Sequence, residues 1–220
     1  YSVDRESIVS NIMRHNEEVA TGPVPPIMKG GMNWDFYRDG DVEMARDHFA
    51  RGCQELGIAP KDLPSLTLAY HSTEHYGLIA QALQEQWQKS LGLKISLQKL
   101  DFKVLHDNLM KRNYDIGILY WIAQYNDQMN ILDRFSTPTN PKNYSGWDNT
   151  DYAHLLASSL LEKTEKRRHA LLAQAESLFV EEMPLIPIFH WQNAYVIREG
   201  VRGMYVSPIG SIHLEHVSFD

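Results

Sequence analysis

The segment YWIAQYND, residues 120–127, spaces an indole, a neutral amide and a carboxylate three residues apart, at Trp121, Gln124 and Asp127. An indole offers a flat apolar wall, an amide hydrogen-bonds without charge, and a carboxylate pairs with a cation. The segment follows an apolar run, YDIGIL, that reads as a strand, so these groups stand at a strand's end. More aromatic side chains fall in predicted loops or at element ends, among them Phe102, Tyr120, Tyr125, Tyr144, His190 and Trp191, with Trp34, Phe36 and Tyr37 in an early loop. Aromatic walls with a few neutral polar groups are the usual chemistry of a small-ligand pocket.

Motifs for bond-making chemistry are missing from the sequence. It has no G-x-S-x-G elbow and no Ser-x-x-Lys motif. Gly30-Gly31 lacks the preceding strand and the Lys-Ser/Thr of a phosphate loop. Acidic residues are plentiful, but no pair is marked by an apolar setting that would raise one pKa. Cys53, the single cysteine, reads as a small packing residue in a helix and permits no internal disulfide. His213, Glu215 and His216 in HLEH have no third ligand nearby and a spacing unlike that of zinc proteases, so no metal site and no cofactor are expected.

The 220 residues suffice for one large domain or two small ones. With 43% hydrophobic and 22% charged residues the composition is that of a globular protein. A net charge of -7 argues against binding a nucleic-acid backbone. The one dense basic run, Lys166-Arg167-Arg168, reads as a solvated helix face. No apolar run is long enough to span a membrane. The chain opens on YSVDRESIVSNIM, without an initiator Met and with a helical pattern already under way, and so reads as a piece of a longer protein.

Helical stripes run over 4–14, with Asp4 as cap, and over 41–57, with Asp41 as cap, Ala45, Phe49 and Leu56 inward, and Gly57 at the end. A Pro- and Gly-rich connection lies between them. Strand 65–70, helix 74–92, strand 93–100, helix 102–113 and strand 114–121 then alternate, which makes crossover units of an α/β sheet. The last strand is nearly all apolar and is expected to be central and buried on both faces. Ligands of such sheets bind beyond the carboxyl ends of the strands. A short helix over QMNILDRF, helices at 151–163 and 165–182, two short strands around Gln192-Asn193 and a loop-rich tail complete the chain.

Several stretches, in order, resemble one family. SVDRESIVSNI, TGPVPP, LGLKISLQKLDFKVL, YDIGILYWIAQYND and RRHALLAQAESLFVEEMPLIPIFHWQNAYVI are similar to the C-terminal half of the peptide-binding proteins of ABC importers. The resemblance implies an α/β lobe, with a mixed sheet flanked by helices, of a two-lobed clamp of the periplasmic-binding-protein type II kind. Residues 1–183 would form the large ligand-facing lobe. Residues 184–220 would return through the hinge and pack on an N-terminal lobe absent here. It also implies a monomeric receptor, in the periplasm or lipid-anchored outside the cytoplasmic membrane. That receptor would close on a peptide or peptide-like ligand and deliver it to a permease and ATPase, without being an enzyme.

The same resemblance nominates Trp121, Ile122, Gln124, Asn126, Asp127, Phe102, Tyr76, Leu109, Ile118, Tyr144 and His190 as ligand-binding residues. Where peptide-binding members carry an acid for the ligand's ammonium, this sequence has Gln124. Tyr76, Leu109 and Ile118 stand at positions that are basic or His in members that meet ligand carboxylates. Three outcomes follow: Asp127 takes the ammonium, the other lobe supplies the acid, or the ligand is not an ordinary peptide. A glutathione-, metal-complex- or sugar-binding member, or a signalling receptor, is the alternative reading, with an α/β hydrolase the remotest.

Overall fold

The computed structural model describes residues 1–28, 30–31 and 38–220; the expectations for Trp34, Phe36 and Tyr37 lie outside it. Asp4 caps the first helix, α1 (Arg5–Ile8), its carboxylate accepting from the Ser7 N–H at 2.9 Å. A π-helical turn (Val9–Met13) continues it, and the stripe of Ile8, Val9 and Met13 is buried. After a short strand, β1 (Glu18–Val19), Asp41 caps α2 (Val42–Glu55) through the Met44 N–H, and Gly57 follows its end in the left-handed region. Ala45 and Cys53 are buried as expected, but Leu56 is 69% exposed. It lies just past the last helical residue, off the stripe, at the rim of an apolar groove of about 530 Å³ that Phe49 and Trp87 also line.

Next come β2 (Leu66–His71), α3 (Glu74–Leu91), β3 (Ile95–Leu100), α4 (Phe102–Met110) and β4 (Ile116–Gly117). The strands form a parallel sheet in the order β3-β2-β4. This is the expected crossover pattern, with one correction. The central strand is β2, whose Leu68 faces both Leu97 and Ile116. The run 114–121 supplies only the two-residue β4 at the sheet's edge. Among the described residues no strand pairs with its outer side, so after the Ile118 N–H bond to the Ala69 carbonyl (2.9 Å) its backbone leaves the sheet. One side of α3, with Ile79, Ala80, Leu83 and Trp87, packs with Leu68 and Ile95 in the sheet's core. A smaller core of Ala69, Leu105 and Leu109 joins the sheet to α4.

A helical unit follows: α5 (Met129–Leu132), prolonged by a 3-10 turn (Asp133–Phe135), then α6 (Thr150–Leu161) and α7 (Glu165–Glu182). Leu132, Phe135, Tyr152, Leu156, Leu172 and Phe179 form its core. Fully buried Glu176 accepts from the Val24 N–H at 3.3 Å and so ties the early loop to α7.

The last stretch departs from expectation. Only β5 (Phe189–His190) forms near Gln192-Asn193; it pairs antiparallel with β1, Glu18 opposite His190. Residues 191–198 form no strand, because they have no partner strand among the described residues. The tail folds into two antiparallel ladders. They pair β6 (Val201–Arg202) with β9 (Ser218–Phe219), and β7 (Tyr205–Val206) with β8 (Ile212–His213). Parallel and antiparallel pairings therefore sit in separate ladders. Within HLEH, His213 Nδ1 is 3.1 Å from Glu215 Oε1, and no cluster of three or more metal-ligating side chains occurs among the described residues.

Burial of the His190 imidazole lowers its pKa from 6.5 to about 4. The unfolded chain therefore takes up a proton near pH 6.5 that the folded chain refuses until about pH 4. Stability falls as pH drops through that window, by at most about 3 kcal/mol. Urea midpoints measured from pH 7 to 4 should decline less in His190→Phe than in the parent; equal declines would contradict this.

Candidate functional site

The carboxyl ends of β2, β3 and β4 converge on one solvent-open recess of about 220 Å³. It is lined by Phe102, His106, Leu119, Tyr120, Trp121, Ile122, Gln124 and Tyr144. Phe102 opens α4 directly after β3, with Asp101 capping that helix through the Lys103 N–H. One turn along the same helix face, His106 stacks on Phe102, ring centroids 5.9 Å apart. His106 Nε2 meets the Tyr144 hydroxyl at 3.3 Å. Tyr120 bridges Phe102 (6.4 Å) and Tyr76 (6.2 Å), and His71, the last residue of β2, meets Phe102 edge-on at 5.6 Å. The result is a continuous aromatic wall with hydrogen-bonding groups at its edges.

Asn130 of α5 holds the segment that carries Trp121 and Gln124. Its buried Oδ1 accepts from Trp121 Nε1 at 3.3 Å and from the Gln124 N–H at 3.2 Å. The Gln124 side chain is thereby left exposed at the recess. Such an arrangement can hold a flat or apolar group against the rings and give or take hydrogen bonds. Its lining residues include no Ser, Thr, Cys or Lys.

The model of the bacterial extracellular solute-binding proteins, family 5 (middle region), matches residues 1–143. The chain belongs to this family. It is 33% identical over 222 residues to the oligopeptide-binding protein OppA of Bacillus subtilis, which covers all of the chain and 41% of that protein. It is 29% identical to the dipeptide-binding protein DppE of the same organism, over 97% of the chain and 40% of DppE. The structure of the Escherichia coli murein tripeptide binding protein MppA superposes with a TM-score of 0.79 at 26% identity, covering 94% of the chain and 40% of MppA. The chain thus spans about 40% of the length of these relatives.

Within this family member the nominated residues divide. Phe102, Trp121, Ile122, Gln124 and Tyr144 line the recess together. Leu109 does not: it is 2% exposed and packs beneath β4, where a Cβ on Gly117 would stand 2.5 Å from its Cδ2. Ile118 packs against the sheet's core, and Tyr76 is buried behind Tyr120. Asn126 is exposed outside the lining, and His190 lies on β5, also outside it.

Asp127 is committed elsewhere. Arg168 grips both its oxygens, at 2.7 and 2.8 Å, and it accepts from the Met129 N–H at 2.9 Å. Burial raises its pKa, but the bonds from Arg168 and the Met129 N–H and the charges of Arg168 and His169 outweigh this, so the carboxyl ends below its ordinary range. That pairing also corrects the solvated-face reading for Arg168, although Lys166 and Arg167 are exposed.

His106, Leu119 and Asn130 were not anticipated. His106 was within reach, since it stands one helical turn from Phe102. Nothing in the sequence signals that Asn130 holds Trp121. The same is true of Arg134, whose guanidinium carbon lies 3.8 Å from the Trp121 ring centroid.

Proposed function

We infer that this chain is the large C-terminal lobe of the solute-binding component of an ABC importer, and that its recess takes one part of an oligopeptide or related solute. The observation that carries this reading is the aromatic recess at the carboxyl ends of three parallel strands in a member of a solute-binding family. Its similarity to the oligopeptide- and dipeptide-binding proteins of Bacillus subtilis supports a peptide ligand. The role needs binding only, and no turnover. Closure against a second lobe would replace the ligand's water by fixed hydrogen bonds before delivery to a permease and ATPase.

The exposed segment from Trp191 to Ile197 supports a second contact surface. Tyr195, Val196 and Ile197 are 54%, 99% and 43% exposed there, a run of apolar surface suited to cover by the other lobe. On this reading the hinge return begins after β5, since Pro187 is buried and β5 pairs with β1. The whole protein would work as a monomer, in the periplasm or lipid-anchored at the outer face of the membrane.

Calorimetry tests the reading. The whole binding protein should bind short peptides at micromolar affinity or tighter. The 220-residue chain alone should bind them about 100-fold more weakly, because half the contacts are missing and their ordering cost is not repaid. Equal affinity in the two, or cleavage of the peptide, would overturn it.

A further inference from the structure

Among the described residues, Arg134 is a cation without a carboxylate partner. It is 9% exposed, its Nε has no hydrogen-bond partner, its Nη2 donates to the Lys142 carbonyl at 3.4 Å, and its other polar neighbour is the Tyr144 hydroxyl, a neutral group. No carboxylate among the described residues pairs with it. Its guanidinium instead lies over the Trp121 ring at 3.8 Å and 5.7 Å from the centroid of Tyr144, two rings that line the recess. Lys142 Nζ also lies over the Trp121 ring, 4.8 Å from its centroid. Two cations therefore share the ring that forms the recess wall.

This has a chemical consequence. A cation on an indole draws on the electron density that would otherwise attract a second cation. Water screens the charge of a buried guanidinium little, so Arg134 makes the potential at the neighbouring Trp121 ring more positive. No residue lining the recess is acidic. Asp127, three residues past Gln124, is paired with Arg168, and Asp107, beside His106, with Lys111. The polar groups at the rim can donate: the Gln124 amide, the Tyr144 hydroxyl and, in one tautomer, His106 Nε2. A buried cation lacking a partner is costly, and an anion brought by the ligand would offset that cost.

We propose that the recess selects a ligand group bearing a carboxylate, not an ammonium, with Arg134 and Lys142 as the specificity-determining residues. The proposal rests on the recess being the ligand site. The carboxylate is either the C-terminus of a peptide or an acidic side chain.

Calorimetry of the whole binding protein would use tetra-alanine, its C-terminal amide, and tetra-alanine variants with one Glu, Gln or Lys. Removing the carboxylate, by amidation or by Glu→Gln, should weaken binding at least tenfold, and the arm that does so names its source. Lys should bind more weakly than Gln. In Arg134→Met/Lys142→Met the ratio of acidic to neutral peptide affinity should fall below threefold. Lys142 is exposed, so Lys142→Glu should fold and by itself reduce the preference. Equal binding of acidic and neutral peptides, or a preference that survives both variants, overturns the proposal and leaves the peptide-receptor reading standing. Absence of binding by every peptide overturns both.

Discussion

Replacing Trp121 by alanine is expected to weaken ligand binding by the whole protein about 30-fold or more, since a central aromatic wall residue typically contributes 2 kcal/mol or above. The loss has two sources. The recess loses the largest ring among its lining residues, and Asn130 Oδ1 loses one of the two donors it accepts from. The second source disturbs Gln124 as well, whose backbone shares that oxygen. Trp121→Phe keeps a ring beneath Arg134 but removes the indole N–H, and should fall between the parent and the alanine variant. Calorimetry with a peptide that binds the parent reads all three. Parent-like affinity in Trp121→Ala would remove this residue from the ligand site.

The second large effect concerns stability. Phe179 is fully buried at the meeting of three aromatic neighbours: Phe135 at 4.7 Å, Trp147 at 5.7 Å and Tyr152 at 6.2 Å between ring centroids. Phe179→Ala should destabilise the fold by about 3–5 kcal/mol through lost burial and the cavity left behind. That is a large fraction of the roughly 5–15 kcal/mol that holds a domain folded. The consequence reaches the recess, because the same core seats α5, which carries Asn130, and the turn that carries Arg134. The chain with Phe179→Ala should show a much lower urea midpoint, and Phe179→Leu a smaller drop. An unchanged midpoint in the alanine variant would mean that this core is not shared as described.

Residue chemistry alone reached the order of elements and several of their ends. Asp4 and Asp41 cap helices because a carboxylate satisfies the free N–H groups of a first turn, and Gly57 and Gly92 end them because they tolerate positive φ. These are interactions between residues three or four apart, so they are written locally. Strand alternation at 65–70 and 93–100 was legible for the same reason, and Trp121 and Gln124 do line a recess past the strand ends.

The failures have a common cause. A continuous apolar run such as YDIGILYW has no period, so it cannot say which side chains face in or whether neighbours flank the strand. Only the three-dimensional pairing made β4 an edge, turned Leu109 and Ile118 toward cores, and left the aromatic residues after β4 to form the recess. Polar partnerships at a distance were equally silent. Arg168 closes on Asp127 from 41 positions away, and Arg134, on the 3-10 turn, lies over the Trp121 ring from 13 positions away. The sequence by itself therefore determined the family, the crossover order and the segment that lines the recess. The tertiary structure alone decided which cations lie against the Trp121 ring, because a cation's partner depends on which surfaces the chain folds together, and no local pattern records that.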